Sequence, residues 1–234
     1  MSAEIELRHA RVRYGPLEAL HGVSLAVPYP GVSVLLGRNG SGRTTVLRAL
    51  AGTVPLSAGA VVWRGRDVTR LAVHDRARRG LAFVPDRQAV FGSLTVAENL
   101  GLAASDSQSH GDFTAALEAY PQLRPLLTRR AGTLSGGEQR MLALSRALLA
   151  HARVVLVDEP TQGMSPAVAA RTYELIASLD AAVLIAEQRL PPGLRPATGD
   201  ARPVIVHELR RGSLVFSGEA SEAHRRARTS RPTE

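Results

Sequence analysis

The sequence predicts an α/β domain built around a parallel sheet, and three stretches carry the prediction. Gly37-Arg38-Asn39-Gly40-Ser41-Gly42-Arg43-Thr44 lies between an apolar run, Val32 to Leu36, and a stretch that reads as helix, Thr44 to Leu50. Val154 to Val157 is continuously apolar and rich in β-branched residues, and it ends in Asp158 and Glu159. Between them in the chain, Leu134-Ser135-Gly136-Gly137-Glu138-Gln139-Arg140 opens an amphipathic helical pattern. A strand feeding a glycine loop and helix, followed by a strand buried on both faces that ends in carboxylates, suits a sheet whose site lies at its C-terminal edge.

The glycine loop is built to hold phosphate. Its spacing lets the backbone curl so that successive N–H groups aim at phosphate oxygens, with the positive end of the following helix behind them. Gly37, Asn39, Gly40, Ser41, Gly42, Arg43, Thr44 and Thr45 are therefore the candidate nucleotide contacts, and the Thr44 hydroxyl suits a magnesium ion. One position departs from the pattern: Arg43 stands where such loops carry a lysine. A glycine-rich turn without a ligand is the plain alternative, and the ordered set of motifs argues against it.

Asp158 suits the magnesium shell, and Glu159 suits the general base or orienter of an attacking water, because phosphoryl transfer needs an in-line nucleophile and neutralised charge. Taken alone, the two carboxylates could merely cap the turn before Pro160. The stretch Glu138 to Ala150 reads as helix, with Met141, Leu142, Leu144, Ala147 and Leu148 on one face, so Ser135, Gly136 and Gly137 sit at its N-terminus as further donors.

Leu134 to Arg140, flanked by the two phosphate motifs, resembles the signature of ABC ATPases, and the resemblance covers nearly the whole chain. It implies the ABC ATPase fold: a RecA-like P-loop core with a mostly parallel sheet, an antiparallel β layer and an inserted helical lobe. It also implies ATP and Mg2+ as ligands. Ser135, Gly136 and Gly137 would close over the terminal phosphate bound by a second ABC ATPase subunit, identical or related. The further partners it implies are membrane permease subunits and, indirectly, an extracytoplasmic solute-binding protein. Tyr14, before a Gly-Pro turn, stands where the family stacks an aromatic on adenine; elsewhere such a tyrosine is more often an edge residue.

Departures from the general family pattern point to a subgroup. Most ABC ATPases carry a glutamine after the Val-Pro pair, near magnesium and water; here Asp86 follows Val84-Pro85, with Gln88 two residues on. Asp86, Met141-Leu142-Ala143, Gly163-Met164-Ser165-Pro166 and Glu187-Gln188 are similar to the branched-chain amino acid and urea importer ATPases. Asp86 thus joins Thr44 and Asp158 as a candidate metal neighbour. The family's switch histidine falls at Gln188, a candidate catalytic residue beside Glu159, and glutamine can hydrogen-bond a phosphate without becoming cationic. Arginine for lysine is not conservative at a phosphate site. Arg43 therefore leaves two readings: hydrolysis slowed but working, or a hydrolysis-poor regulatory subunit paired with an active ATPase.

The 234 residues suit one domain. The expected core covers 1–86 and 134–220, the helical lobe about 87–133, and a basic tail about 221–234. Glu4 to Arg13, Val23 to Val27 and Val61 to Trp63 read as strands of the antiparallel layer, and Thr95 to Gly132 as helical and loop-rich, with Ser105 to Gly111 a surface connection. Pro191 to Pro203 replaces what the family makes helical. The segment Asp86 to Val90 would pass energy to the permease.

The net charge is +8, yet every basic residue is arginine and aromatics are 4%, scattered charge without a stacking platform, so a nucleic-acid partner is not expected. A non-transport ABC protein would also need coiled-coil insertions or tandem ATPase domains, and neither is visible. Arg225, Arg226, Arg228 and Arg231 read as a solvated tail, with attraction to acidic lipid headgroups the alternative. There is no apolar stretch of about 18 residues and no secretory pattern, so the expected location is cytoplasmic, peripheral on the inner membrane face. Absence of cysteine removes disulfides and thiolate chemistry.

Overall fold

The computed structural model describes residues 3–104, 112–194 and 204–229. Strands β1 (Ala3–Tyr14) and β2 (Leu17–Pro28) form a long hairpin. With β4 (Ala58–Trp63) and β5 (Arg66–Asp67) they make an antiparallel sheet ordered β2-β1-β4-β5. The second strand is longer than the apolar run Val23 to Val27 suggested, because bulges in the hairpin let pairing continue through polar residues as far as Tyr14 opposite Leu17.

The central sheet contains β3 (Gly31–Leu36), β6 (Leu81–Val84), β7 (Val154–Asp158), β8 (Ala182–Glu187), β9 (Ile205–Arg210) and β10 (Ser213–Glu219). Their order is β10-β9-β3-β8-β7-β6, parallel except for the β9–β10 hairpin. Strand alternation splits the core in two. Leu35, Val154, Leu156, Ala182, Leu184 and Ala186 face the antiparallel sheet, with α1 (Arg43–Ala51) between the layers. Val34, Val155, Val157, Val183 and Ile185 face the other helices.

On that second side lie α3 (Val96–Ala104), α4 (Thr114–Ala119), α5 (Gly136–Leu149) and α6 (Pro166–Ser178); α2 (Val73–Arg78) packs by β6. Leu100, Leu117, Leu142 and Ile176 join one cluster, because the apolar positions of α3 to α6 recur at helical spacing. The basic segment expected as a solvated tail is helical from Ala220 to Thr229, α7, with Ala220 buried against the sheet edge. Ser105 to Gly111, most of Pro191 to Pro203 and Arg231 lie outside the described residues; Pro192–Leu194 is a 3-10 turn.

Parallel register brings three strand ends to one edge. Leu36 lies opposite Glu187, and Asp158 opposite Ala186. Among the described residues no helix is long and apolar enough to cross a membrane.

Candidate active site

The phosphate loop is pinned at both ends before it reaches α1. Gly37 N–H donates to Glu187 O at 3.2 Å, and Gly212 N–H, from the β9–β10 turn, donates to Ser41 O at 2.8 Å. Gly42 has φ 104°, which strains any larger residue, and a Cβ there would sit 3.0 Å from Ala19 O of the hairpin. Gly42 also caps α1 without a side chain, leaving the first-turn N–H groups for a ligand.

Around the loop is a cleft of about 670 Å³ lined by Tyr14, Asn39, Gly40, Ser41, Gly42, Arg43, Thr44, Thr45, Asp86, Asp158 and Glu159. Most of the residues that the sequence singled out are brought together there. Tyr14 lines the cleft and stays 42% exposed. Three buried polar atoms at the site have no protein partner: Ser41 Oγ, Arg43 Nη1 and Asp158 Oδ2. Burial pushes the Asp158 carboxyl above its ordinary range, with Asp86 and Glu159 adding to the effect, while a Thr44 hydrogen bond and Arg43 oppose it. A divalent cation beside Thr44 and Asp158 would relieve that burial and satisfy the unpartnered oxygen, so the donor set fits magnesium.

Arg43 is only 6% exposed; its Nη2 donates to Glu159 Oε1 at 2.8 Å and to Asn39 Oδ1 at 3.3 Å. Glu159 has φ 48°, a left-handed conformation unusual for this residue, and its N–H donates to Ala186 O at 3.0 Å. The chain therefore turns sharply where β7 ends, and the carboxylate swings back toward the phosphate loop.

Asp86, and not Gln88, lines the cleft; Gln88 is exposed with φ 54°. A missed residue explains the loop's placement. Buried Arg140 of α5 donates from Nη1 to Pro85 O at 2.6 Å and from Nη2 to Asp86 O at 3.4 Å. Burial lowers its pKa, opposed by Asp158, Asp86, Glu159 and Glu187. Farther along α5, Arg146 donates to Ala89 O at 3.0 Å and lies 4.7 Å over the Phe91 ring.

Gln188 and Gly37 do not line this cleft. Gln188 is exposed and borders, with Gly37 and Arg38, a second cavity of about 1420 Å³. Strand β8 ends at Glu187, and Gln188 follows in the bend beyond it. Ser135, Gly136 and Gly137 are likewise outside the cleft. Ser135 and Glu138 form a reciprocal capping box that fixes the start of α5. Gly137 abuts the turn after Glu159, where a Cβ would lie 2.6 Å from Gly163 O.

Comparison with known proteins agrees with this geometry. Residues 20–162 match the family described as ABC transporter. The chain is 36% identical over 216 residues to a probable branched-chain amino acid transport ATP-binding protein LivF of Archaeoglobus fulgidus, covering 89% of each. It is 35% identical over 192 residues to the high-affinity branched-chain amino acid transport ATP-binding protein BraG of Pseudomonas aeruginosa, covering 79% of this chain and 82% of that one. A nucleotide-free ATP-binding cassette from an ABC transporter has the same fold, with TM-score 0.80, 21% identity and 98% and 96% of the two chains covered. Phosphate loop, carboxylate strand, signature helix and sequence relatives agree, and the chain belongs to the ABC transporter family.

Proposed function

We propose that this chain is the ATP-hydrolysing subunit of an importer for branched-chain amino acids or a related small polar solute. The observation that carries the reading is the convergence of Arg43, Thr44, Asp86, Asp158 and Glu159 on one cleft at the sheet's C-terminal edge. The loop N–H groups and Arg43 would hold the phosphates of ATP, and Tyr14 would stack on the base. Thr44 and Asp158, with Asp86 nearby, would hold magnesium, which supplies charge neutralisation at the phosphates.

Glu159 is the residue for the attacking water. Its pairing with Arg43 implies an exchange: phosphate is the stronger anion, so Arg43 moves from Glu159 to phosphate and leaves the carboxylate free to orient water. Gln188 can donate a neutral hydrogen bond from the second cavity, beside Gly37 to Ser41. Ser135, Gly136 and Gly137 would face the phosphate of a second ATPase subunit, identical or related. Relatives named as transport ATP-binding proteins support permease and solute-binding partners, and a place at the inner membrane face.

The test is uptake. Vesicles holding this chain with its permease and ATPase partners should accumulate labelled leucine, isoleucine or valine only with internal ATP and magnesium and external binding protein. Equal uptake without ATP would overturn the proposal. The Arg43 substitution favours a second reading, a regulatory subunit; tight ATP binding without turnover by this chain's own site would select it.

A further inference from the structure

The turn that aims Glu159 is held by a chain of hydroxyls that the motifs do not include. Tyr173 of α6 is 7% exposed, and its hydroxyl donates to Glu187 Oε1 at 2.6 Å. The Tyr173 hydroxyl oxygen also lies 3.0 Å from Thr161 Oγ1. A phenol has one proton, and the carboxylate takes it, so the Thr161 hydroxyl must donate to Tyr173. The order Thr161 to Tyr173 to Glu187 is fixed by that count.

Both ends of this chain are functional ground. Thr161 lies two residues beyond Glu159, in a turn closed by Gln162 N–H to Glu159 O at 3.3 Å and Met164 N–H to Thr161 O at 3.1 Å. Glu187 ends β8, and its carbonyl accepts the first N–H of the phosphate loop, from Gly37. Neighbouring Thr172 reinforces the same turn, touching Met164 Sδ at 3.5 Å and the Tyr120 hydroxyl at 3.0 Å. The opposite side of the turn meets Gly137 at the start of α5.

We infer that Tyr173 is a positioning residue for hydrolysis: its hydroxyl ties the turn carrying Glu159 to the strand end that carries the phosphate loop. This rests on the ATPase reading above. Glu159 has a strained backbone, and a left-handed residue keeps its orientation only when its neighbours hold it. Losing the tie lets the carboxylate wander while the phosphate contacts stay, so turnover falls and ATP affinity does not.

The test is Tyr173→Phe in the full complex, with Thr161→Val and Thr161→Ser beside it. Tyr173→Phe keeps the ring packing and removes only the hydroxyl. The expected result is kcat lowered about tenfold with KM for ATP within about twofold, matched by Thr161→Val, not worsened in the double variant, and restored by Thr161→Ser. Amide exchange at Gln162 and Met164 should accelerate in Tyr173→Phe without nucleotide, while Leu184 stays protected. An unchanged kcat in an active complex, or unchanged exchange at those two amides, would overturn the inference. If the wild-type complex hydrolyses nothing, the ATPase reading falls, and the exchange measurement still decides whether the hydroxyl chain holds the turn.

Discussion

The Arg43 guanidinium sits 2.8 Å from the Glu159 carboxylate, so the cation of the phosphate loop and the carboxylate proposed to handle the water neutralise one another. A planar fork on a longer stem reaches across the cleft to make this bond and the one to Asn39. Arg43→Lys should therefore raise turnover, by about tenfold, with little change in ATP affinity, because a compact ammonium serves phosphate charge in the transition state better. Arg43→Met should cost about 10² or more in kcat. Steady-state hydrolysis checks both, and a Lys variant slower than wild type would show that the pair is an adapted feature of this site.

The approach of Gly137 to Gly163 O sets a second expectation. Gly137→Ala must push the signature helix off the turn after Glu159, since its Cβ would lie 2.6 Å from that oxygen. Overpacking of this kind costs about 1–3 kcal/mol, read as a lower urea midpoint. A Cβ at Gly136 meets nothing within 4 Å, so Gly136→Ala should leave the midpoint in place.

Much of this site could be read from residue order. The phosphate loop, Asp158 and Glu159 were legible because each lies in a local pattern whose chemistry is fixed by neighbours, whereas Tyr14 and Asp86 came only from the family resemblance. The Arg43–Glu159 bond joins residues 116 positions apart, and no local pattern encodes it. Gln188 was placed at the switch position by the family resemblance, and its side chain borders the second cavity, beside Gly37 to Ser41. Tyr173 gave no signal, because a tyrosine at helical spacing reads as core until its hydroxyl is placed. The helix α7 was hidden by its charge, since Arg225 and its neighbours look like a solvated run.

Beneath α1 lies a buried cation without a carboxylate. Arg76 is 1% exposed and donates to the carbonyls of Leu71, Ala49, Leu50, Val68 and Thr69, capping the helix whose other end opens the phosphate site. Arg76→Met would take a donor from all five carbonyls, of which Ala49 O and Val68 O would keep the backbone N–H groups of Gly52 and Leu71. A loss of about 3 kcal/mol or more in urea unfolding is expected.

His207 makes stability depend on pH. Burial drives its pKa from 6.5 down to about 4, against the opposing hydrogen bond to Ala26 O. The unfolded chain thus binds the proton more readily, so this contribution is fully present above pH 6.5 and is lost as pH falls toward 4. The sum is about 3 kcal/mol over the window. Urea midpoints should fall with pH across it, and His207→Gln should flatten the slope.

Magnesium-dependent ATP hydrolysis by the assembled complex, wild type beside Glu159→Gln in this chain alone, is the most direct measurement of the central claim. Turnover at this chain's site should fall about 10² or more with ATP still bound. An undiminished rate, with ATP bound by both proteins, would mean that Glu159 does not handle the water and that the chemistry lies in a partner.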